Sequence, residues 1–237
     1  SLESIPPLLE EVRSVLPPGQ VQPHALDYRS QASQPRENQR MSFISTTAPQ
    51  TANQEVADMY RRLQGSSAYL PNYAGIFSHR PALMAQIGQL MKCLMEPMEP
   101  RLWDLVNLAA ARACNSSYCS LAFAHKIIAR HFSEQELLEI LNDSPSAPLG
   151  SNERAAMEYA ALVARDASAM EQHHIDALRQ HGYSDGKIFD ITAAAAWRCF
   201  FARVPDALGA LPDRALGQLR EPLLDLLLVG RDIELDC

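Results

Sequence analysis

The chain has 237 residues and a mass of 26.3 kDa, room for one helical domain or two small ones. Apolar residues make up 47% and charged residues 21%, a balance that suits a soluble globule with a sizeable core. A formal charge of −7 and a pI near 5.5 argue against a nucleic-acid partner, and no basic run interleaved with aromatics restores one.

Residues 1–40 differ from the rest and are expected to form an N-terminal extension or arm, with 41–237 as the helical domain. Apolar spacing over 8–15 predicts a short amphipathic helix stopped by Pro17 and Pro18, and the Gln/Ser/Pro-rich stretch beyond has no sustained period. From Ala52 onward the pattern is helical. Val56, Met59, Tyr60 and Leu63 predict a helix over 53–63, broken at Gly65. Pro81 suits the first position of the next helix, and 101–113 and 118–131 read as two long helices interrupted at Asn115-Ser116-Ser117. Shorter helices follow over 133–142, 154–165 and 168–181. A last long one covers 186–203, with Ile188, Ile191, Ala195, Cys199 and Phe200 among its apolar positions and Pro205 ending the pattern. No stretch alternates with period two, so an all-α fold is expected. The helix pairs over 101–131 and 171–203 echo one another as a repeated helical hairpin. The apolar run 223–229 is shorter than the roughly 20 residues of a membrane span; it reads as a short buried helical turn.

The N-terminal residues lack a basic region followed by an apolar signal core. Five cysteines (Cys93, Cys114, Cys119, Cys199 and Cys237), odd in number and dispersed, suit a reducing compartment. Cytoplasm is the expected location.

Cysteine chemistry concentrates in 104–125, DLVNLAAARACNSSYCSLAFAH. Two small polar residues before Cys119 put its sulfur near a helix start, where exposed backbone N–H groups favour a thiolate. The segment resembles the core of the alkyl hydroperoxidase D and carboxymuconolactone decarboxylase superfamily, in its peroxidase-related branch. Met41 with the following SFIST, ERAAMEYAALVARD, and the segment 175–213 extend the resemblance over roughly 41–212. In the peroxidase-like pattern an acidic residue precedes Cys-x-x-Cys, and a histidine stands four residues past the second cysteine. Cys119 matches the second cysteine, Asp104 the acidic position and Tyr118 the aromatic before it, while Ser116 replaces the first cysteine and Phe123 the histidine. Ser116 has no thiol to attack with, and Phe123 has no proton to relay.

The resemblance therefore implies an atypical cycle. Cys119 would attack a hydroperoxide and become a sulfenic acid, resolved by Cys114 or an external thiol reductant. Asp104 would orient a water or proton donor, and Ser116 would hydrogen-bond the peroxide or thiolate. Cys114 and Cys119, five residues apart, point about 140° apart on one continuous helix, so their pairing needs the break at Asn115-Ser116. His125 lies on a different face and does not inherit the role vacant at Phe123. The resemblance also implies a homo-oligomer (dimer, trimer or hexamer) and a small-molecule substrate. A lyase in the same helical cavity, or a non-catalytic oligomeric or regulatory protein, are the alternatives.

No metal or organic cofactor is required by these residues. His173 and His174 point about 100° apart on a helix, poor geometry for joint ligation, and read as a solvated face. Tyr69, Tyr73, Phe77 and His79 are candidates to line an apolar approach to the cysteine region. Trp103, Trp197, Phe200 and Phe201 are candidates for the core or a subunit interface.

Overall fold

A computed structural model describes residues 42–67 and 69–233, and among them every regular element is a helix. In chain order these are α1 (Gln54–Ser67), α2 (Asn72–Phe77), α3 (Pro81–Met95), α4 (Pro100–Ala113), α5 (Ser117–Arg130), α6 (Glu134–Leu141), α7 (Ser151–Asp166), α8 (Gln172–Gln180), α9 (Asp185–Ala207) and α10 (Glu221–Leu227). Short 3₁₀ turns occupy Pro49–Thr51, Ala167–Ala169 and Arg214–Gly217. The arm expected over 1–40, including the helix over 8–15, lies outside the described residues.

The architecture is organised around α4. Every residue from Leu102 to Ala111 is buried, the signature of a helix enclosed on all sides. It packs against α5, α7 and α9, and α7 and α9 pack on each other. Helix α5 returns beside α4 as the second arm of a hairpin and buries Leu121, Ala124 and Ile127. Helix α6 starts with a capping box in which Ser133 and Glu136 satisfy each other's backbone N–H groups.

Three boundaries differ from the sequence-based expectation. Helix α1 runs past Gly65 to Ser67 rather than breaking there. The segment 168–171 is a 3₁₀ turn and connector, with α8 beginning only at Gln172. Helix α9 continues through Pro205 to Ala207. Proline is tolerated there because only the last turn loses a backbone bond. Phe200, a candidate for the core or a subunit interface, is 44% exposed, and an apolar α3 face at Leu83, Leu90, Met91 and Met95 is exposed too.

The segment after α9 is tied back onto the start of α5. His125 Nε2 meets the Leu216 carbonyl at 3.0 Å, Gly230 N–H donates to Ser117 Oγ at 2.8 Å, and Arg231 donates to the Asp206 carbonyl. Leu223 and Leu227 of α10 are buried, as the apolar run requires. Gly230 runs so close to the Asn115 carbonyl that a Cβ there would overlap it, whereas a Cβ on Gly88 in α3 would meet nothing. Gly230→Ala is therefore expected to destabilise the protein by about 1–3 kcal/mol through overpacking. Gly88→Ala should stabilise it by about 0.5–1 kcal/mol. Denaturant unfolding of the two variants checks this, and equal shifts of one sign would contradict the backbone contact.

Candidate functional site around a buried thiol

The break between α4 and α5 places Cys119. Cys114 is the C-cap of α4, Asn115 turns the chain with φ of 56°, and Ser116 is the N-cap of α5. Ser116 Oγ accepts the Cys119 backbone N–H at 3.4 Å, so Cys119 is the third residue of its helix. Its side chain is buried, 5% exposed. The Ser116 hydroxyl also lies beside Asp206, whose carboxyl is raised above its usual range by burial, with Ser116 and Arg231 opposing. Ser116, the expected hydrogen-bond partner of the peroxide or thiolate, is the cap of α5, with its oxygen on the amide of Cys119.

The sulfur instead faces a cation from α9. Arg198 Nη1 donates to Cys119 Sγ at 3.5 Å, and Arg198 Nε donates to Asn107 Oδ1 at 2.9 Å. Asn107 is held in turn by its own donation to the Trp103 carbonyl at 2.8 Å. The guanidinium carbon lies 4.5 Å from the centre of the Phe123 ring and 5.5 Å from that of Phe201. Phe123, where the resemblance leads one to seek histidine, is thus a platform for a guanidinium. Arg198 is only 4% exposed, and no Asp or Glu among the described residues pairs with it. Its hydrogen-bond partners are instead the Asn107 side-chain oxygen and the Cys119 sulfur.

Aromatic side chains close the other side. The Tyr73 ring packs edge-on against Tyr118 and Phe201, and Phe201 stacks on Phe77. The Tyr73 hydroxyl has no hydrogen-bond partner among the described residues. Its pKa is pushed up to about 12, mainly by burial and then by the charges of Asp213 and Cys119. Tyr118 points away from the sulfur and donates to Asp213 Oδ2 at 2.5 Å. Tyr69 donates to the same oxygen at 3.2 Å, and the Asn72 N–H to Oδ1 at 2.7 Å. This buried carboxylate clamps the post-α9 segment to α2 and α5. Two more buried donors, Ser120 Oγ and Trp197 Nε1, lie next in sequence to Cys119 and Arg198 and have no partner among the described residues.

Asp104 is placed elsewhere. Its Oδ2 meets His131 Nε2 at 3.1 Å and Arg130 Nη1 at 3.8 Å. His131 follows Cys119 by twelve residues, roughly 18 Å along the helix axis at 1.5 Å per residue. The expected role of Asp104 in orienting a proton donor at the thiol is corrected on that ground: antiparallel packing of α4 and α5 aims it at the far end of α5. Asn107, one turn on, occupies the level of the site instead.

Cys114 lies against the small cluster of Ala111, Cys119 and Ala202, yet its nearest thiol partner is Cys199. Cys114 Sγ donates to Cys199 Sγ at 3.5 Å. That hydrogen bond, helped by the charges of Arg203 and Arg198 and opposed by burial, holds the Cys199 thiol down at about 7, while Cys114 as the donor is pushed far up. Cys93 is exposed and remote in sequence; Cys237 lies outside the described residues. His79 bonds the Ser45 carbonyl, and His174 Nδ1 accepts the Glu171 N–H as part of a helix cap. Among the described residues no three His, Cys, Asp or Glu side chains converge as a metal site. Cavities of about 650 Å³, beside Arg101, Glu153 and Lys187, and about 510 Å³, beside Arg112, Asn115 and Arg165, do not include Cys119.

Sequence reasoning missed Arg198, Asn107 and Asp213. A signal existed for Arg198, because the period through Ile188, Ile191 and Ala195 puts position 198 on the inward face of α9, where a charge needs a reason.

No family model and no curated protein matches the chain. Solved structures do. An uncharacterized peroxidase-related protein from Ralstonia eutropha, described as an alkylhydroperoxidase AhpD core, superposes with TM-score 0.64 at 17% identity, over 82% of this chain and 100% of the other. A peroxidase-related protein from a Silicibacter species gives TM-score 0.64 at 17% identity, over 78% and 99%. The debrominase Bmp8, as a cysteine-to-alanine variant in complex with 2,3,4-tribromopyrrole, gives 0.60 at 21% identity, over 78% and 95%. The chain has the alkyl hydroperoxidase D-like fold, as the sequence resemblance implied.

Arg198→Met removes the cation beside the sulfur and is expected to slow alkylation of Cys119 in folded protein by about tenfold, the worth of one charge-assisted hydrogen bond. Asp104→Asn should cost about 1–3 kcal/mol of stability by disrupting a buried pair and leave that alkylation rate within about twofold. Mass-spectrometric labelling kinetics alongside thermal unfolding separate the two, and an Asp104→Asn rate as slow as that of Arg198→Met would overturn the division.

Proposed function

We propose that this protein is a thiol-dependent oxidoreductase that reduces organic hydroperoxides through Cys119. The observation that carries the reading is the buried Arg198 guanidinium, held by Asn107 and stacked on Phe123, with Cys119 as its available counter-charge. A thiolate so paired is poised for attack on a weak O–O bond. Cys119 Sγ attacks the outer peroxide oxygen, the O–O bond breaks, and the departing alkoxide takes a proton to leave as alcohol. Arg198 steadies the negative charge as it moves from sulfur to oxygen. Tyr73, with a free hydroxyl and a raised pKa, supplies a hydrogen bond to the peroxide and remains protonated while doing so. The surrounding Phe77, Tyr118, Phe123 and Phe201 rings favour an apolar substituent on the peroxide. The exposed α3 residues Leu83, Leu90, Met91 and Met95 suit a homo-oligomer contact for the same protein.

A second reading uses the same thiol to remove halogen from an aromatic ring. The ring cluster of Tyr73, Phe77 and Phe201 favours it, together with the likeness to a debrominase.

Single-turnover reaction with cumene hydroperoxide, followed by dimedone trapping and mass spectrometry, tests the first reading. Wild type should consume one equivalent, and Cys114→Ser, which lacks the neighbouring thiol, should retain a sulfenic acid at Cys119. Cys119→Ser should be inert, and Tyr73→Phe slower by about 10²-fold, the usual worth of a positioned hydrogen-bond donor at developing negative charge. Absence of a Cys119 adduct, with bromide released from 2,3,4-tribromopyrrole in a parallel sample, would replace this reading by the second.

A further inference from the structure

Beyond the site of attack, the structure holds a second thiol pair whose place is unexplained by a single reactive cysteine. We infer that Cys114 and Cys199 form a surface-side dithiol that takes over the oxidising equivalent from Cys119, so that the enzyme cycles through a Cys114–Cys199 disulfide. The inference rests on the hydroperoxide reading. It adds Cys199 as the terminal thiol and a small dithiol as the class of reductant.

Geometry carries it. Cys119 is buried at 5% exposure, walled by Arg198, Ala111, Ala202 and aromatic rings, so a reductant has no direct approach to its sulfur. Cys114 and Cys199 are only half-buried. Cys114 stands between the two: it packs on the cluster that contains Cys119, and its sulfur lies 3.5 Å from that of Cys199. The two thiols are 85 positions apart in sequence, on the C-cap of α4 and the middle of α9. Residue 199 directly follows the arginine that faces Cys119, so one turn of α9 serves both sulfurs.

The steps balance as follows. Hydroperoxide oxidises Cys119 to the sulfenic acid and is itself reduced to alcohol. Cys114 attacks the Cys119 sulfur, the S–O bond breaks, and the Cys114 proton leaves with the hydroxide as water, so that a Cys114–Cys119 disulfide results. Cys199, as thiolate, then attacks Cys114, the older S–S bond breaks, and Cys119 departs as thiolate, back beside Arg198. An external dithiol finally reduces the Cys114–Cys199 disulfide by exchange, becoming oxidised itself. The sum is hydroperoxide plus dithiol giving alcohol, water and disulfide.

Peptide mapping after one equivalent of cumene hydroperoxide tests the relay on the full chain. Wild type is expected to carry the Cys114–Cys199 disulfide, Cys199→Ser to stop at Cys114–Cys119, and Cys114→Ser to stop at a dimedone-reactive Cys119. Cys114→Ala should also move the alkylation midpoint of Cys199 from about 7 up towards the ordinary thiol value of about 8.5. With dithiothreitol as reductant, Cys199→Ser should turn over at least tenfold more slowly than wild type. A Cys119 sulfenic acid in Cys114→Ser without any Cys114–Cys199 disulfide in wild type would overturn the relay and leave the hydroperoxide reading standing. No sulfenic acid in any variant would overturn both.

Discussion

The molecule is built around a guanidinium that has to be buried. Arg198 lies at the level where α4, α5 and α9 meet, donating to Asn107 on the first, to Cys119 on the second, and stacking over Phe123. These contacts tie α9 to α4 through Asn107 and to α5 through Cys119 and Phe123. A buried positive charge without a carboxylate is costly unless something else supplies negative potential. Here the guanidinium meets the Asn107 side-chain oxygen, the Cys119 sulfur and the face of the Phe123 ring.

The rest of the site follows from what that arrangement displaces. Phe123 offers a π face instead of a proton relay, which suits a cation as neighbour. With Arg198 at the sulfur, Asp104 is released to a structural pairing with His131 and Arg130 at the other end of α5. Ser116, in place of a thiol, ends as a helix cap and gives Cys119 a fixed amide. Lys126, whose ammonium also lies over the Phe123 ring, is held below its usual pKa by burial and by the nearby Arg198 charge. Positive potential is thus gathered on one flank of Cys119, while the Asp213 carboxylate is kept on another through Tyr118 and Tyr69.

Thiol chemistry is divided between two depths. The buried sulfur is shielded from adventitious thiols by rings and small residues, and the half-buried pair of Cys114 and Cys199 stands where a partner can reach it. The chain break at Asn115 allows both: it ends α4 at Cys114, turns through a left-handed residue, and restarts the helix so that Cys119 faces α9. The close run of Gly230 past the Asn115 carbonyl then fixes the break from outside.

Local patterning determined the all-helical fold, the position of nearly every helix and the place of Cys119 at a helix start. Those features depend on residues within one or two turns of each other, through apolar period, proline at first positions and small polar caps. Helix ends were less legible where burial overrode a local breaker, as at Gly65 and Pro205. Partnerships of the polar groups were decided only by tertiary structure. Asp104 and Asn107 are one turn apart on the same helix, and nothing local says which of them meets Arg198. The choice depends on the level at which α5 and α9 cross α4, as does the pairing of Cys114 with Cys199 across 85 positions. A helical period tells which way a side chain faces; what it faces is set by packing between segments distant in the chain.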